Sequence, residues 1–433
     1  MRAMKDSGIA WIGEIPEDWK IVRNKNAFVC NKELVGKKSA LTQLLSLTTR
    51  GIKKKDINNA EGKLPESFDT YQFVKENDIV MCLFDLDCSA VFSGISPIDG
   101  MISPAYRVLS CKECMEPRYA DYWFRYISDG RKFNHFAKNI RYTLSYEEFS
   151  ALPLLLPKKV EQHRIADYLD RKCSQIDAII ARQQEVIEKL NAYKLSVITE
   201  AVTKGLNPDV PMKDSGIPWL GNICNHYALS RVGAFCFVTK LAGFEYTDIM
   251  SSAISDTGEV PIVRAQNVRM FNFNDNIDEY IGLDVSQKLD RCTLNKKCLL
   301  ITFIGAGIGD VCVFSKAMRY HLAPNVAKIE IRDEYKTILD EEYLMFYLGS
   351  LAGKGEISKI SKASAQPSLS MGTIRGITIA VPPIDEQRKI SEYLSRKIAF
   401  IDKVVRGKES IIENLLAYKN SLIYEIVTGK KEV

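Results

Sequence analysis

Long apolar runs are absent: no stretch approaches the roughly 18 residues that a membrane-spanning helix needs. The first residues also lack the basic-then-apolar layout of a secretory signal, so the expected place is the cytoplasm and no membrane partner is implied. Histidine is scarce, and its four copies at 135, 163, 226 and 321 are too dispersed for an imidazole-based site. No Gly-Lys-Ser/Thr phosphate loop occurs, nor an Asn-Pro-Pro-Tyr or Asp-Pro-Pro-Tyr tetrad of an amino-methyltransferase site. Net charge is small, 59 Lys+Arg against 54 Asp+Glu. A polyanionic partner is therefore permitted but not demanded. Residues 1–156 carry 22 basic against 20 acidic side chains and residues 207–381 carry 18 against 19, so any basic surface must be local. Eleven cysteines show no secreted-type spacing, and their odd number argues against full pairing.

What is present is a sequence written twice. Met212-Lys213-Asp214-Ser215-Gly216-Ile217-Pro218-Trp219-Leu220-Gly221 repeats Met4-Lys5-Asp6-Ser7-Gly8-Ile9-Ala10-Trp11-Ile12-Gly13 at an offset of 208, and the stretch from Pro382 repeats that from Pro157 at 225. Between them Pro104 matches Pro324 at 220, and Tyr122 and Tyr126 match Tyr343 and Tyr347 at 221. An offset that climbs in order means two colinear copies of one unit, the second with small insertions.

Both copies end in a heptad pattern. Leu169, Ile176, Gln183, Leu190, Val197 and Cys173, Ile180, Ile187, Lys194, Ala201 fill its two seats in the first. Leu394, Ile401, Lys408, Leu415, Leu422 and Ile398, Val405, Ile412, Lys419, Ile426 fill them in the second. So long a seam predicts a coiled coil, and its polar breaks at matched places suggest that one helix recognises the other; two separate amphipathic helices are the alternative. Prolines 157, 382 and 383 precede the helices, and Gly205 with Pro208 closes the first near Thr203, giving about 39 residues and roughly 58 Å. Because the second globular part follows the far end of helix one, helix two must run back antiparallel, with a globular part at each end and the chain termini close together.

The globular parts, residues 20–156 and 228–381, alternate β-rich runs (78–84, 298–304) with turns and end in helices near 119–127 and 341–348. Gly305-Ala306-Gly307-Ile308-Gly309-Asp310 follows a strand as a nucleotide loop would, but Val311–Phe314 reads as a returning strand and predicts a hairpin. Cys111 and Cys114 have the spacing of half a zinc site without a second pair. Asp85 and Asp87 read as a polar turn rather than a magnesium site. No catalytic set and no metal site emerges, so the chain is expected to be no enzyme by itself.

Hydrogen-bond donors do gather in loops. They are Arg50, Lys53, Lys54, Lys55, Arg141, Tyr142 and Thr143 in the first copy, and Arg264, Gln266, Asn267, Lys359, Lys362, Ser364, Gln366 and Ser368 in the second. Arg, Asn and Gln can read base edges, whereas Lys grips phosphates; the alternative for each is a solvated loop residue.

The doubled Lys-Asp-Ser-Gly-Ile box, the runs Glu161-Gln162-His163-Arg164-Ile165 and Glu386-Gln387-Arg388-Lys389-Ile390, and Ala192-Tyr193-Lys194 with Ala417-Tyr418-Lys419 resemble the specificity subunits of type I restriction-modification systems over nearly the whole length. The resemblance implies an α+β chain with two pseudo-twofold-related target recognition domains, separated by an antiparallel two-helix coiled coil. Residues 1–156 (box 4–19) and 206–381 (box 212–227) would be the domains, 157–205 and 382–433 the helices. It further implies that each domain reads half of a bipartite asymmetric double-stranded DNA site while the helices set the spacer. Leu169, Ile176, Ile180, Ile187, Leu190, Leu394, Ile401, Val405, Ile412 and Leu415 would form the coiled coil and the partner surface. The implied partners are two modification subunits that use S-adenosylmethionine to methylate adenine, and restriction subunits that use ATP and magnesium; the chain itself would bind no cofactor. One departure stands out: Cys224-Asn225-His226-Tyr227 replaces the proline-then-tryptophan ending kept by Pro16-Glu17-Asp18-Trp19. Recognition for a system cutting on both sides of its site, a self-contained methyltransferase or nuclease, and a two-headed scaffold that binds no DNA are the rival readings.

Overall fold

The computed structural model describes residues 2–49, 51–56, 65–86, 92–129, 132, 142–305, 307–361 and 368–433. They form two units, one of Met1–Gln184 with Glu409–Val433 and one of Glu185–Lys408. The first is built on an antiparallel sheet of β1 (Phe28–Asn31), β2 (Ile79–Met81), β3 (Ser93–Ile95) and β4 (Arg107–Cys111), in the spatial order β1-β4-β2-β3. Helices α1 (Pro117–Asp129) and α2 (Lys159–Lys204) follow. The second has β5 (Cys236–Lys240), β6 (Cys298–Thr302), β7 (Val311–Phe314) and β8 (Val326–Ile331) in the matching order β5-β8-β6-β7. Helices α3 (Glu341–Gly349), α4 (Leu351–Ser361) and α5 (Ile384–Val427) complete it and close the chain.

The repeat holds at the level of register. Leu109 faces Cys30 and Ile79 in one sheet, and Ile329 faces Val238 and Leu299 in the other. The edge strand is thus offset by 208 and the inner pair by 220, as the sequence anchors predict. Along each strand successive side chains enter opposite cores. Ile79, Met81 and Leu109 pack with α1, while Val80, Cys82 and Val108 pack on the other face. Leu299, Ile301 and Ile329 pack with α3, while Cys298, Leu300 and Cys312 pack away from it. Between the shared strands the units diverge. The first inserts the hairpin Leu45–Thr48/Gly51–Lys54, and the second a larger lobe in which Val260–Val263 pairs in parallel with Tyr320–Leu322.

One alignment is corrected. The Tyr119 hydroxyl donates to the carbonyls of Leu155 and Val427, and the Tyr343 hydroxyl to those of Ala380 and Val202. Tyr119 and not Tyr122 is therefore the partner of Tyr343, at an offset of 224. Two aromatic pairs with the same four-residue spacing share α1, and only the hydrogen-bond partners distinguish them.

Each unit joins its sheet domain to a long helix through the buried glutamine of its Glu-Gln run. Gln162 Nε2 donates to the carbonyls of Cys114 and Pro157 while its Oε1 accepts from the Glu116 amide. Gln387 makes the same three bonds, to Ile338, Pro382 and the Asp340 amide. The neighbouring carboxylate collects the box. Glu161 accepts from the Trp19 indole and Arg2, and Glu386 accepts from the Tyr227 hydroxyl and contacts His226. The departure at 224–227 is thereby explained: a phenol replaces an indole as donor to the same carboxylate.

The seam runs as the heptads predict. In α2, Leu169, Cys173, Ile176, Ile187 and Ala201 are buried, and Ile180, Gln183, Leu190, Lys194 and Val197 are half-buried. In α5, Leu394, Ile398, Ile401, Val405, Leu422 and Ile426 are buried, and Lys408, Ile412, Leu415 and Lys419 are half-buried. Within the first unit the helices are antiparallel: Lys419 pairs with Asp177 at 2.7 Å, while the Lys430 Nζ reaches the Glu14 carbonyl beside the start of α2. The chain ends therefore meet, as expected. Within the second unit Lys194 pairs with Asp402 at 2.7 Å, while a Cβ on Gly205 would stand 2.9 Å from Glu386 Oε1. Both lysine breaks in the seam are thus the two copies of one lock, since 177 and 402, like 194 and 419, differ by 225. Helix α2 begins at Lys159 and has 46 residues, longer than the 39 expected, with Glu161 in its first turn as the sequence predicts. At about 1.5 Å per residue it is roughly 69 Å long. No described helix is long and apolar enough to cross a membrane.

Candidate nucleic-acid interface

In the first unit the basic run lies on the hairpin Leu45–Thr48/Gly51–Lys54, where Ile52 is buried beneath and Lys53 and Lys54 are exposed. The Lys55 amide donates to the Leu44 carbonyl, which places that residue half-buried at the strand end. Arg50 and Arg141 lie outside the described residues. Tyr142, at a φ of 46°, accepts from the Leu86 amide, and Leu144 donates to Leu83, so the loop of Tyr142 and Thr143 runs along the turn after β2. In the second unit Ser368 bridges Ile304 and the Leu369 amide donates to Phe303, which sets that loop along the turn after β6. Thr143 and Ser368 differ by 225, so the structure brings the two candidate loops to equivalent places. Lys359 lies in α4, its side chain outside the described set, as are Lys362, Ser364 and Gln366.

The Arg264 cluster is corrected in part. Asn267 is only 1% exposed, and its amide donates to the carbonyls of Asn274 and Asn276 while its oxygen accepts from the Arg264 amide. With every polar atom committed inside the fold it has nothing left for a base edge. Arg264 forms an ion pair with Glu279, and exposed Gln266 reaches Asp278 at 3.3 Å. Replacing Asn267 with Ala is expected to cost roughly 2–4 kcal/mol in unfolding free energy through the orphaned buried partners, whereas Gln266→Ala should cost under about 0.5 kcal/mol. Denaturant unfolding of the two variants distinguishes them, and equal costs would reject the assignment.

Gly305 and Gly307–Asp310 form a hairpin turn, closed by Thr302 N–H to Asp310 O and Gly309 N–H to Thr302 O, both 2.9 Å. Cys111 ends β4, where burial pushes its thiol up to about 12, and Cys114 is exposed. Among the described residues the one group of three metal-type ligand atoms is Asp340, Glu341 and Glu342. Those carboxylates cap α3 and face Lys297.

The predicted partner surface also needs restating. Leu169, Ile176, Ile187, Leu394, Ile401 and Val405 are buried in the seam, and Ile180, Leu190, Ile412 and Leu415 half-buried in it, so their apolar surface is largely taken by the sister helix. A second stripe stays open. Ile179, Val186 and Tyr193 recur every seven residues on α2 at 43%, 39% and 48% exposure. Their counterparts at 225 on α5 are Val404, Ile411 and Tyr418, the last two 41% and 54% exposed.

Residues 244–414 match the family model of the type I restriction modification DNA specificity domain. Over that span the chain is similar to the type I restriction specificity subunits. It is 22% identical over 440 residues to the putative type I restriction enzyme MjaX specificity subunit of Methanocaldococcus jannaschii, covering 98% of this chain and 96% of that one. With the EcoBI specificity subunit of Escherichia coli it is 23% identical over 286 residues, 63% of this chain and 56% of that one, so the match spans little more than half of that relative. A solved chain from work on the complex assembly and conformational transition of the type I R-M system shares the fold, with a TM-score of 0.69 at 14% identity over 96% of this chain and 99% of that one. In this chain the matched span runs from the inserted lobe of the second unit through α3 and α4 into α5. It contains two cations that sequence reasoning missed, Arg269 and Lys354, and a third, Lys240, lies just before it; none stands in a basic run.

Proposed function

We propose that this subunit supplies DNA sequence recognition to a type I restriction-modification complex in the cytoplasm. Each sheet domain reads one half of a bipartite asymmetric site, and α2 and α5 set the spacer. The observation that carries the reading is the duplication itself: one fold with one register, built twice on one chain, alongside a matching DNA specificity domain. A reader built twice suits a site read in two parts.

The subunit contributes no chemistry. Two modification subunits carrying S-adenosylmethionine flip and methylate adenine in their own pockets. Restriction subunits using ATP and magnesium cut unmodified DNA. The open stripe of Ile179, Val186 and Tyr193 with its α5 counterpart supports docking of the modification subunits, because matched apolar stripes suit two copies of one partner.

The test is to map methylated adenines in DNA from cells that make this chain with its neighbouring modification subunit. One split, asymmetric word with a constant spacer is the expected result. Methylation without a common word, or methylation by this chain alone, would reject the reading.

A further inference from the structure

Several cations of the second unit are committed to ion pairs. Arg264 pairs with Glu279, Arg291 with Glu245, Arg319 with Asp290, Lys316 with Asp275 and Lys297 with Glu342. Among the described cations that stand in no ion pair, Lys240 lies at the start of the turn between β6 and β7, and Arg269 and Lys354 act on its end. The Lys240 Nζ lies 4.8 Å from the centre of the Phe303 ring at the start of the turn. Arg269 and Lys354 are both within electrostatic reach of the Asp310 carboxyl at its end. They arrive from β5, from the short hairpin Val268–Phe273 and from α4, elements far apart in the chain. Helix α4 is held against the turn, since a Cβ on Gly309 would lie 3.5 Å from Ile357.

The turn itself is open backbone. Its internal bonds use the amides of Ile308, Gly309 and Asp310, and those of Gly305 and Gly307 enter none of them. Gly305 has a φ of +105° with no atom within 4 Å of where a Cβ would stand. Beneath the turn the Thr302 hydroxyl is buried without a partner among the described residues. Positive charges at both ends of a turn whose Gly305 and Gly307 amides stay outside its internal bonds favour an anion. Asp310 opposes an anion, but burial is the main influence on its carboxyl and raises its pKa, and Arg269 and Lys354 offset the charge that remains. At the matching place the first unit has Asp85, also at positive φ, so it lacks the glycine backbone.

We infer that the turn formed by Gly305 and Gly307–Asp310, with Lys240, Arg269 and Lys354, grips a DNA backbone phosphate and so sets the position of the second recognition domain on its half-site. The inference rests on the DNA-reading function proposed above and gives this site the positioning role, not the base-reading one. Phosphate contacts fix register and carry no sequence information directly, whereas base contacts do.

The experiment compares the intact complex with its modification subunits, wild type against Arg269→Gln/Lys354→Gln, on a duplex carrying the methylated word. Each lost phosphate contact should lower the slope of log affinity against log salt by about 0.9. Affinity in the double variant should fall about tenfold or more at low salt, converge on the wild type as salt rises, and leave the methylated word unchanged. Because neither cation is ion-paired, the melting temperature should not move; a variant that melts early is replaced by Lys240→Gln, read by the same slope. An unchanged slope, or a changed base preference in one half-site, would overturn the inference. Failure of the wild-type complex to bind duplex DNA at all would instead remove the function on which it rests.

Discussion

Inserting seven residues after Gln184 in α2 and seven after Glu409 in α5 should change the spacer of the methylated word by about three base pairs and nearly abolish methylation of the original one. Seven residues complete two helical turns at about 1.5 Å each, adding roughly 10 Å, and DNA rises about 3.4 Å per base pair. The heptad seats are preserved by a whole-heptad insertion, so the seam closes with its residues in the same roles. A half-site displaced by that distance presents wrong bases to the second reader, at about 1–3 kcal/mol for each mismatched pair. Two or three such mismatches are enough for a loss of roughly 100-fold or more. Insertion into α2 alone leaves α5 a heptad short and should prevent assembly. If the double insertion methylated the original word at the wild-type rate, the helices would not be the ruler.

Replacing Gln387 with Ala should destabilise the protein by roughly 3–5 kcal/mol, and Gln162→Ala by a similar amount. Each side chain is fully buried and serves two carbonyls and one amide. Truncation leaves those three groups unpaired in a site where water is excluded, at about 1–3 kcal/mol each, discounted for partial rescue by entering water. For a unit of this size that corresponds to a fall of about 10 °C in melting temperature. Glu is not a substitute at either position, because a carboxylate lacks the two N–H donors and would be buried without a cation. A loss below about 1 kcal/mol in thermal or denaturant unfolding would show that the junction is held by packing alone. The two variants should unfold their own junction first, which hydrogen exchange at the Glu116 and Asp340 amides would resolve.

The helices were legible because their signal is local. Seats such as Ile176, Ile187, Ile401 and Val405 recur at heptad spacing, and any helix carrying them must bury that side. Connectivity then made the pairing antiparallel without further information. The sheet domains were legible only as a duplicated pattern of strands, and their matched register came from anchors, such as Pro104 and Pro324, that lie near the conserved strands. Where identity is sparse, spacing alone favours Tyr122 over Tyr119, because residue order does not show which hydroxyl reaches Leu155 and Val427.

The candidate interface was far less legible. Asn267 looks like a base reader because Asn donates and accepts in the required pattern, yet the same chemistry lets it cap its own loop through Asn274 and Asn276. Lys240, Arg269 and Lys354 look like three unrelated surface cations, since their approach to the two ends of one turn depends on elements separated by up to 114 residues. The duplication, the seam and the direction of the helices are properties of residue order and period, and the chain alone determined them. Which polar side chains are used up inside and which remain for a partner is a matter of through-space neighbours, because a hydrogen bond or ion pair is satisfied by distance and not by sequence position. That division was decided only when the chain was folded.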